Sequence, residues 1–194
     1  MPKPLLIVIS GPPCSGKTTL GLHLAKEFHL PCIGRDDLKE SLFDSLGWSD
    51  REWSRRLGRA SYQLLYLIIE KLVSAQVTCI VESNFNAQDA TRRFLDIRQR
   101  YGFHTLQFLC VTEGGVLMRR FKERAQSGHR HPGHVEDTQQ EEQNAVLLEG
   151  RIAPLDIGGK VIEVDSTDFS KIDYDNLFRA VRDCLPGTVW PDKS

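Results

Sequence analysis

The stretch Gly11-Pro12-Pro13-Cys14-Ser15-Gly16-Lys17-Thr18 spaces two glycines, a lysine and a threonine as a loop that cradles nucleotide phosphates does. Backbone N–H groups of such a loop, continuing through Thr19 into a following helix, point at phosphate oxygens, and the helix dipole favours the negative charge. Lys17 would reach the β- and γ-phosphates of ATP, and the Thr18 hydroxyl would ligate Mg²⁺. Two carboxylates suit the same chemistry. Asp36, in Arg35-Asp36-Asp37-Leu38-Lys39, follows a short extended piece, and a hydroxyl nucleophile needs a carboxylate within about 2.6–3.2 Å to take its proton. A helix N-cap is the structural alternative for Asp36. Glu82 ends an apolar run, a place where an acid holds Mg²⁺, often through water. Arg120 and Arg124 are four apart and share a helix face. Arg130 follows in Ser127-Gly128-His129-Arg130-His131-Pro132-Gly133-His134. Arginine forks there would neutralise the charge that phosphoryl transfer leaves on the equatorial oxygens. The glycines suit a lid over about residues 119–135 that closes and excludes water. His129, His131 and His134 fit no usual zinc spacing and read as lid contacts or exposed loop.

The elements that must position these residues are legible as runs. Leu5-Leu6-Ile7-Val8-Ile9 before the glycine loop reads as a fully buried strand, and Thr19 to Phe28 after it as a helix. Pro31 to Gly34 is extended, and Arg35 to Phe43 is helical. A long helix over about Arg51 to Ala75, capped by Ser49 or Asp50, carries Trp53, Leu57, Ala60, Leu64, Ile68 and Leu72 as an apolar stripe. Arg51, Arg55, Arg56 and Arg59 crowd its first half, as a solvated basic face or as one turned to a phosphate or acceptor. Val77–Val81, Thr105–Val111 and Lys160–Val164 read as further buried strands, with helices between them. The stretch Glu136 to Glu149 is acidic and helical, and the tail 186–194 is loosely ordered. Buried strands alternating with helices predict a three-layer α/β/α domain around a central parallel sheet, one unit over 1–194. Ligands of such sheets bind beyond the carboxyl ends of the strands, where the phosphate loop, Asp36 and Glu82 all fall.

Bulk properties narrow the class. The chain has 194 residues, 40% hydrophobic and 26% charged, with a net charge of −1. A generic nucleic-acid binder is more basic than this. Five cysteines without a Cys-x-x-Cys pair read as reduced thiols. Cys14 differs by sitting in the phosphate loop beside Lys17, surroundings that lower a thiol pKa. No apolar run approaches the ~20 residues that span a bilayer, and none resembles a signal core. The expectation is a cytoplasmic protein without membrane contact. Nothing in the sequence bears on oligomeric state. No Asn-Lys-x-Asp marks a guanine site, and no second strand carries the Asp-Glu pair of hydrolytic motors.

With these pieces assembled, the chain over about residues 5 to 135 resembles the small P-loop kinases, a nucleoside-kinase-like group that includes polynucleotide 5′-kinases, chloramphenicol phosphotransferase and zeta-toxin-like kinases. The resemblance rests on the loop Gly11 to Thr18, on Arg35 to Lys39, on Glu82-Ser83-Asn84 and on Arg120 to Arg124. It implies that Asp36 orients and deprotonates an acceptor hydroxyl, that Glu82 takes the place of a metal-binding Asp, and that the arginines form a lid. Lys39 falls where polynucleotide kinases carry an acceptor-binding arginine, although lysine lacks the bidentate fork. Asn84 reads as an acceptor contact or a loop cap, Asp37 as a cap or salt-bridge partner, and Asp165 to Asp168 as a loop beside the adenine. The expectation is an ATP- and Mg²⁺-dependent transfer of the γ-phosphate to a hydroxyl acceptor, a small molecule first. A polynucleotide 5′-hydroxyl kinase and a non-transferring ATP-binding switch or ATPase are the alternatives.

Overall fold

The structure is a computed structural model and describes residues 3–128, 130–135 and 141–185. His129, the expected helix start at Glu136 and the tail 186–194 lie outside the described residues. Five strands form one parallel sheet: β1 (Leu5–Ser10), β2 (Cys32–Gly34), β3 (Cys79–Glu82), β4 (His104–Val111) and β5 (Lys160–Asp165), in the order β2-β3-β1-β4-β5. β1 lies at the centre, pairing Ile7 with Ile80 on one side and with Leu106 on the other. Because side chains alternate along a strand, β1 feeds two cores. Leu6 and Val8 face one, with Leu65, Ile69 and Val73 of α3 (Arg51–Ser74) and Phe94 and Ile97 of α4 (Ala87–Tyr101). Leu5, Ile7 and Ile9 face the other, with Leu20, Leu24 and Phe28 of α1 (Lys17–Phe28) and Leu177 and Val181 of α7 (Tyr174–Cys184). The expected three-layer parallel architecture is therefore present. Among the described residues no helix is long and apolar enough to cross a membrane.

The remaining helices stand at the carboxyl edge of the sheet. α2 (Arg35–Leu46) follows β2 directly, and α5 (Gly114–Ser127) follows β4 and packs with α6 (Glu141–Glu149). Asp50 rather than Ser49 caps α3, its Oδ1 accepting from the Trp53 N–H at 2.8 Å. The apolar stripe expected on α3 is displaced by one residue. The buried line is Ser54, Leu57, Ser61, Leu65, Ile69 and Val73, whereas Leu64 is exposed. Two serines inside the line mislead a hydrophobicity pattern. Each is satisfied, Ser61 donating to the Gly58 carbonyl at 2.8 Å and Ser54 accepting from Lys39 at 2.9 Å, as burial requires.

Gly128, at φ 68°, ends α5 in the left-handed conformation. The chain then makes a short 3-10 turn over Pro132–His134, which seats on α2. The ring of Phe43, fully buried, stacks on His131 at 5.0 Å and meets His134 edge-on at 5.4 Å. Gly133 fits because it has no side chain: a Cβ there would stand 2.7 to 2.8 Å from three Phe43 ring atoms. Gly133→Ala is expected to cost about 1–3 kcal/mol by overpacking, read as a lowered urea midpoint. A midpoint equal to wild type would show that the turn is not held by this contact.

Candidate active site

The phosphate loop has the backbone that its glycines predict. Gly16, at φ 80°, is the left-handed N-cap of α1, and a Cβ on it would approach the Phe169 ring to 2.5 Å. Gly11 takes φ 155°, with the Cys110 carbonyl 2.7 Å from where a Cβ would sit. The loop is tied from the far side of the sheet by the Ser166 hydroxyl, which donates to the Ser15 carbonyl at 2.8 Å. Cys14, itself at φ 64°, packs against the small cluster of Leu117, Phe121 and Leu147 on α5 and α6. Its role in this structure is that of a small apolar side chain. The Lys17 ammonium donates to the Pro12 carbonyl at 2.7 Å, closing the loop on itself. Burial lowers the Lys17 pKa, and Glu82 opposes that shift.

Glu82, at the end of β3, is 5% exposed and accepts from the Thr18 hydroxyl at 2.9 Å. Burial pushes its carboxyl up, against the pull of Lys17 and the Thr18 hydrogen bond. Gly34 brings a second acid close, since a Cβ there would stand 2.7 Å from Asp37 Oδ2 and 2.9 Å from Glu82 Oε1. A hydroxyl and a carboxylate in contact, with another carboxylate alongside, make a hard-oxygen set that suits Mg²⁺ bound also by phosphates and water. The longer glutamate therefore reaches Thr18 although the resembled kinases carry aspartate.

Asp36 lies in the first turn of α2, and the N-cap is Gly34, so the capping alternative does not hold. Its Oδ2 accepts a hydrogen bond from Arg130 Nη2 at 2.8 Å, and its Oδ1 forms an ion pair with Arg35 Nη2 at 2.9 Å. Burial would raise its pKa, but the two guanidinium groups outweigh burial and hold the carboxyl well below the usual carboxylate range. Arg35 is itself aimed, donating to Asn84 Oδ1 at 3.3 Å and lying over the Tyr62 ring at 5.2 Å. Asn84 is thus an orienting partner of Arg35. Lys39, 8% exposed, donates to Ser54 Oγ and lies over Phe43 at 5.2 Å.

Arg120 and Arg124 both reach the same cavity from α5. The Arg120 guanidinium stacks on Phe169 at 4.0 Å and donates to the Thr167 carbonyl at 2.9 Å. These groups line one cavity of about 850 Å³, which runs from Lys17, Thr18 and Phe169 to Asp36, Lys39 and Ser54. Arg51 and Arg55 line it too, whereas Arg56 pairs with Glu52 at 2.6 Å in solvent. The basic first half of α3 is therefore divided between the two readings.

Sequence reasoning missed two participants. Phe169 had only its place after a strand end as a signal. Glu40 had none, because its contact spans 94 positions: His134 Nε2 meets Glu40 Oε1 at 2.8 Å, and its Nδ1 meets Arg130 Nη2 at 3.1 Å, which makes His134 a lid contact.

Residues 6–149, which hold these groups except Ser166, Thr167 and Phe169, match a family model described as an AAA domain. A comparison with curated proteins returned no match. Among solved structures, a Chloroflexus aurantiacus protein named for an inferred kinase activity is 39% identical, with a TM-score of 0.90 over 94% of this chain and 99% of that one. Shikimate kinase from Acinetobacter baumannii, solved with shikimate, is 15% identical with a TM-score of 0.52 over 93% of this chain and 94% of that one. The APS kinase of Mycobacterium tuberculosis, solved with AMPPNP and APS, is 12% identical with a TM-score of 0.58 over 95% and 98%. The last two share the fold alone. A phosphate loop at the end of a central strand, an acid on the neighbouring strand and arginines on the next helix agree with that matching: the chain belongs to the AAA-domain family of the model and has the fold of P-loop kinases.

Proposed function

We propose that this protein is an ATP-dependent kinase that moves the γ-phosphate to a hydroxyl of a small molecule, within the small P-loop kinases that include chloramphenicol phosphotransferase and the polynucleotide 5′-kinases. The observation that carries the reading is the placement of Asp36. An ionised carboxylate stands in the same cavity as Lys17, Thr18 and Glu82, flanked by Arg35 and Arg130. A hydrolytic switch has no use for a carboxylate built into that cavity and held ionised by two arginines. A kinase needs one to orient the acceptor hydroxyl and take its proton.

The steps follow from the chain's own groups. Backbone N–H groups from Gly11 to Thr19 and the Lys17 ammonium hold the phosphates. Thr18 and Glu82 would hold Mg²⁺, with Asp37 alongside, and the ion would supply neutralisation of phosphate charge. Arg120 and Phe169 flank the end of the cavity that would take the adenine. The acceptor enters between α2 and α3 and hydrogen-bonds to Asp36. In a loose transition state the hydroxyl needs positioning more than it needs a strong base, so a low pKa for Asp36 suits the role. Arg120, Arg124 and Arg130 neutralise the equatorial oxygens as the phosphoryl group passes.

The direct test is ATP turnover measured with and without a panel of hydroxyl-bearing metabolites, antibiotics and a 5′-hydroxyl oligonucleotide. Acceptor-dependent ADP release with a phosphorylated small molecule is the expected result. Turnover that no acceptor changes would favour an ATPase, and transfer only to the oligonucleotide would move the acceptor class.

A further inference from the structure

The histidines after α5 are absorbed neither by the phosphate loop nor by the lid arginines, and one of them has an unusual set of contacts. The side chain of His134 is 5% exposed and lies between Arg130 and Glu40. An arginine donates and never accepts, so the Nδ1 that faces Arg130 Nη2 must carry the lone pair. The ring proton therefore sits on Nε2, where Glu40 Oε1 accepts it at 2.8 Å. The guanidinium nitrogen Nη2 has two hydrogens, and both are assigned: one goes to Asp36 Oδ2 at 2.8 Å and the other to His134 Nδ1 at 3.1 Å. The two acceptors together set the plane of the Arg130 fork.

From this geometry we propose that His134, its tautomer set by Glu40, is a positioning residue that takes the second Nη2 hydrogen of Arg130 and so holds the guanidinium on Asp36. The backbone supports the ring independently of any ligand. The Pro132–His134 turn is closed by the Gly133 N–H donating to His131 Nδ1 at 3.0 Å, and it is seated on Phe43. His131 pairs separately with Asp44 at 3.2 Å. Burial, reinforced by Arg130, drives the His134 pKa down to about 3, which keeps the ring neutral and able to accept across the physiological range. The segment that reads as a lid in sequence is on this view a clamp that seats Arg130 on Asp36. The proposal rests on the kinase reading only for what Asp36 does afterwards.

The test needs no acceptor. The Arg130 guanidinium is followed by ¹⁵N NMR of the whole protein at pH 7, where the His134 ring is neutral. Rotation about the Arg130 Cζ–Nη2 bond should be hindered in the unsubstituted protein, because both Nη2 hydrogens are held. His134→Ala should speed it by about 3- to 10-fold, the loss of one net hydrogen bond. His134→Asn, whose amide oxygen stands near the place of Nδ1, should rotate like wild type. A His134→Ala rate equal to wild type, or an asparagine variant that behaves like alanine, overturns the proposal. In the unsubstituted protein, ¹⁵N shifts of His134 at neutral pH should report a bare Nδ1 and a protonated Nε2, and the opposite tautomer or an imidazolium overturns it equally. Undiminished phosphoryl transfer by Asp36→Asn would remove the base assignment and leave the His134 measurements as they are.

Discussion

Replacing Asp36 by asparagine is expected to lower the rate of phosphoryl transfer by about 10²–10⁴-fold, the range of a positioned general base, while ATP still binds. The side chain keeps its shape, so the loss is that of a charge and a proton acceptor. Binding should survive because Lys17 and the loop N–H groups make no hydrogen bond to Asp36 among the described residues. Calorimetry with a non-hydrolysable ATP analogue reads the first half, and ADP release in the presence of the acceptor reads the second. The pH dependence follows from the sign of the shift. Arg35 and Arg130 depress the folded-state pKa of Asp36, so its base form is present throughout the physiological range. The acid limb of kcat/KM should accordingly not fall between about pH 8 and 5 on account of Asp36. Transfer by the asparagine variant at near the wild-type rate would exclude Asp36 as the base.

Lys17→Ala should weaken both nucleotide binding and transfer, the latter by about 10²–10³-fold, as removal of one preorganised donor from a developing charge does. It should also change stability in a pH-dependent way. Glu82 is buried beside Lys17, with its pKa already pushed up by burial and held back by that ammonium. Without Lys17 its folded-state pKa rises further above the unfolded one. Stability relative to wild type is then least affected below the ordinary carboxylate pKa and is lost as pH rises through the folded value. Denaturant unfolding at pH 4.5 and 7.5 checks the sign. A larger destabilisation at the lower pH would show that Glu82 does not depend on Lys17, and an unchanged ATP affinity would remove Lys17 from the phosphate site.

The parts of this protein that are read from sequence are those decided locally. Parallel strands buried on both faces must be continuous apolar runs, and Leu5 to Ile9 is one. A glycine-lysine-threonine loop announces its own backbone, and Gly16 at φ 80° confirms it. The long helix lies within a residue of its expected bounds, yet its buried face is displaced, because Ser54 and Ser61 are buried with hydrogen bonds that no hydropathy pattern contains. The site was legible as a set of residues and not as a set of contacts. Arg130 and Asp36 both stand out in the sequence, but their pairing joins segments 94 positions apart, beside a turn where Gly133 admits the Phe43 ring. Phe169 against Gly16, and His134 against Glu40, arise in the same way from tertiary packing between distant segments.

The division of the interior by the sheet carries a further implication. The glycine-loop helix, α1, rests on one core, and the long helix α3 rests on the other, with the strands of the sheet between them. Change on one side need not loosen the other. On the proposed kinase reading, the α2–α3 wall could then be retuned for a new acceptor while the half that would hold the donor keeps its footing, so that a single scaffold could diversify in what it modifies.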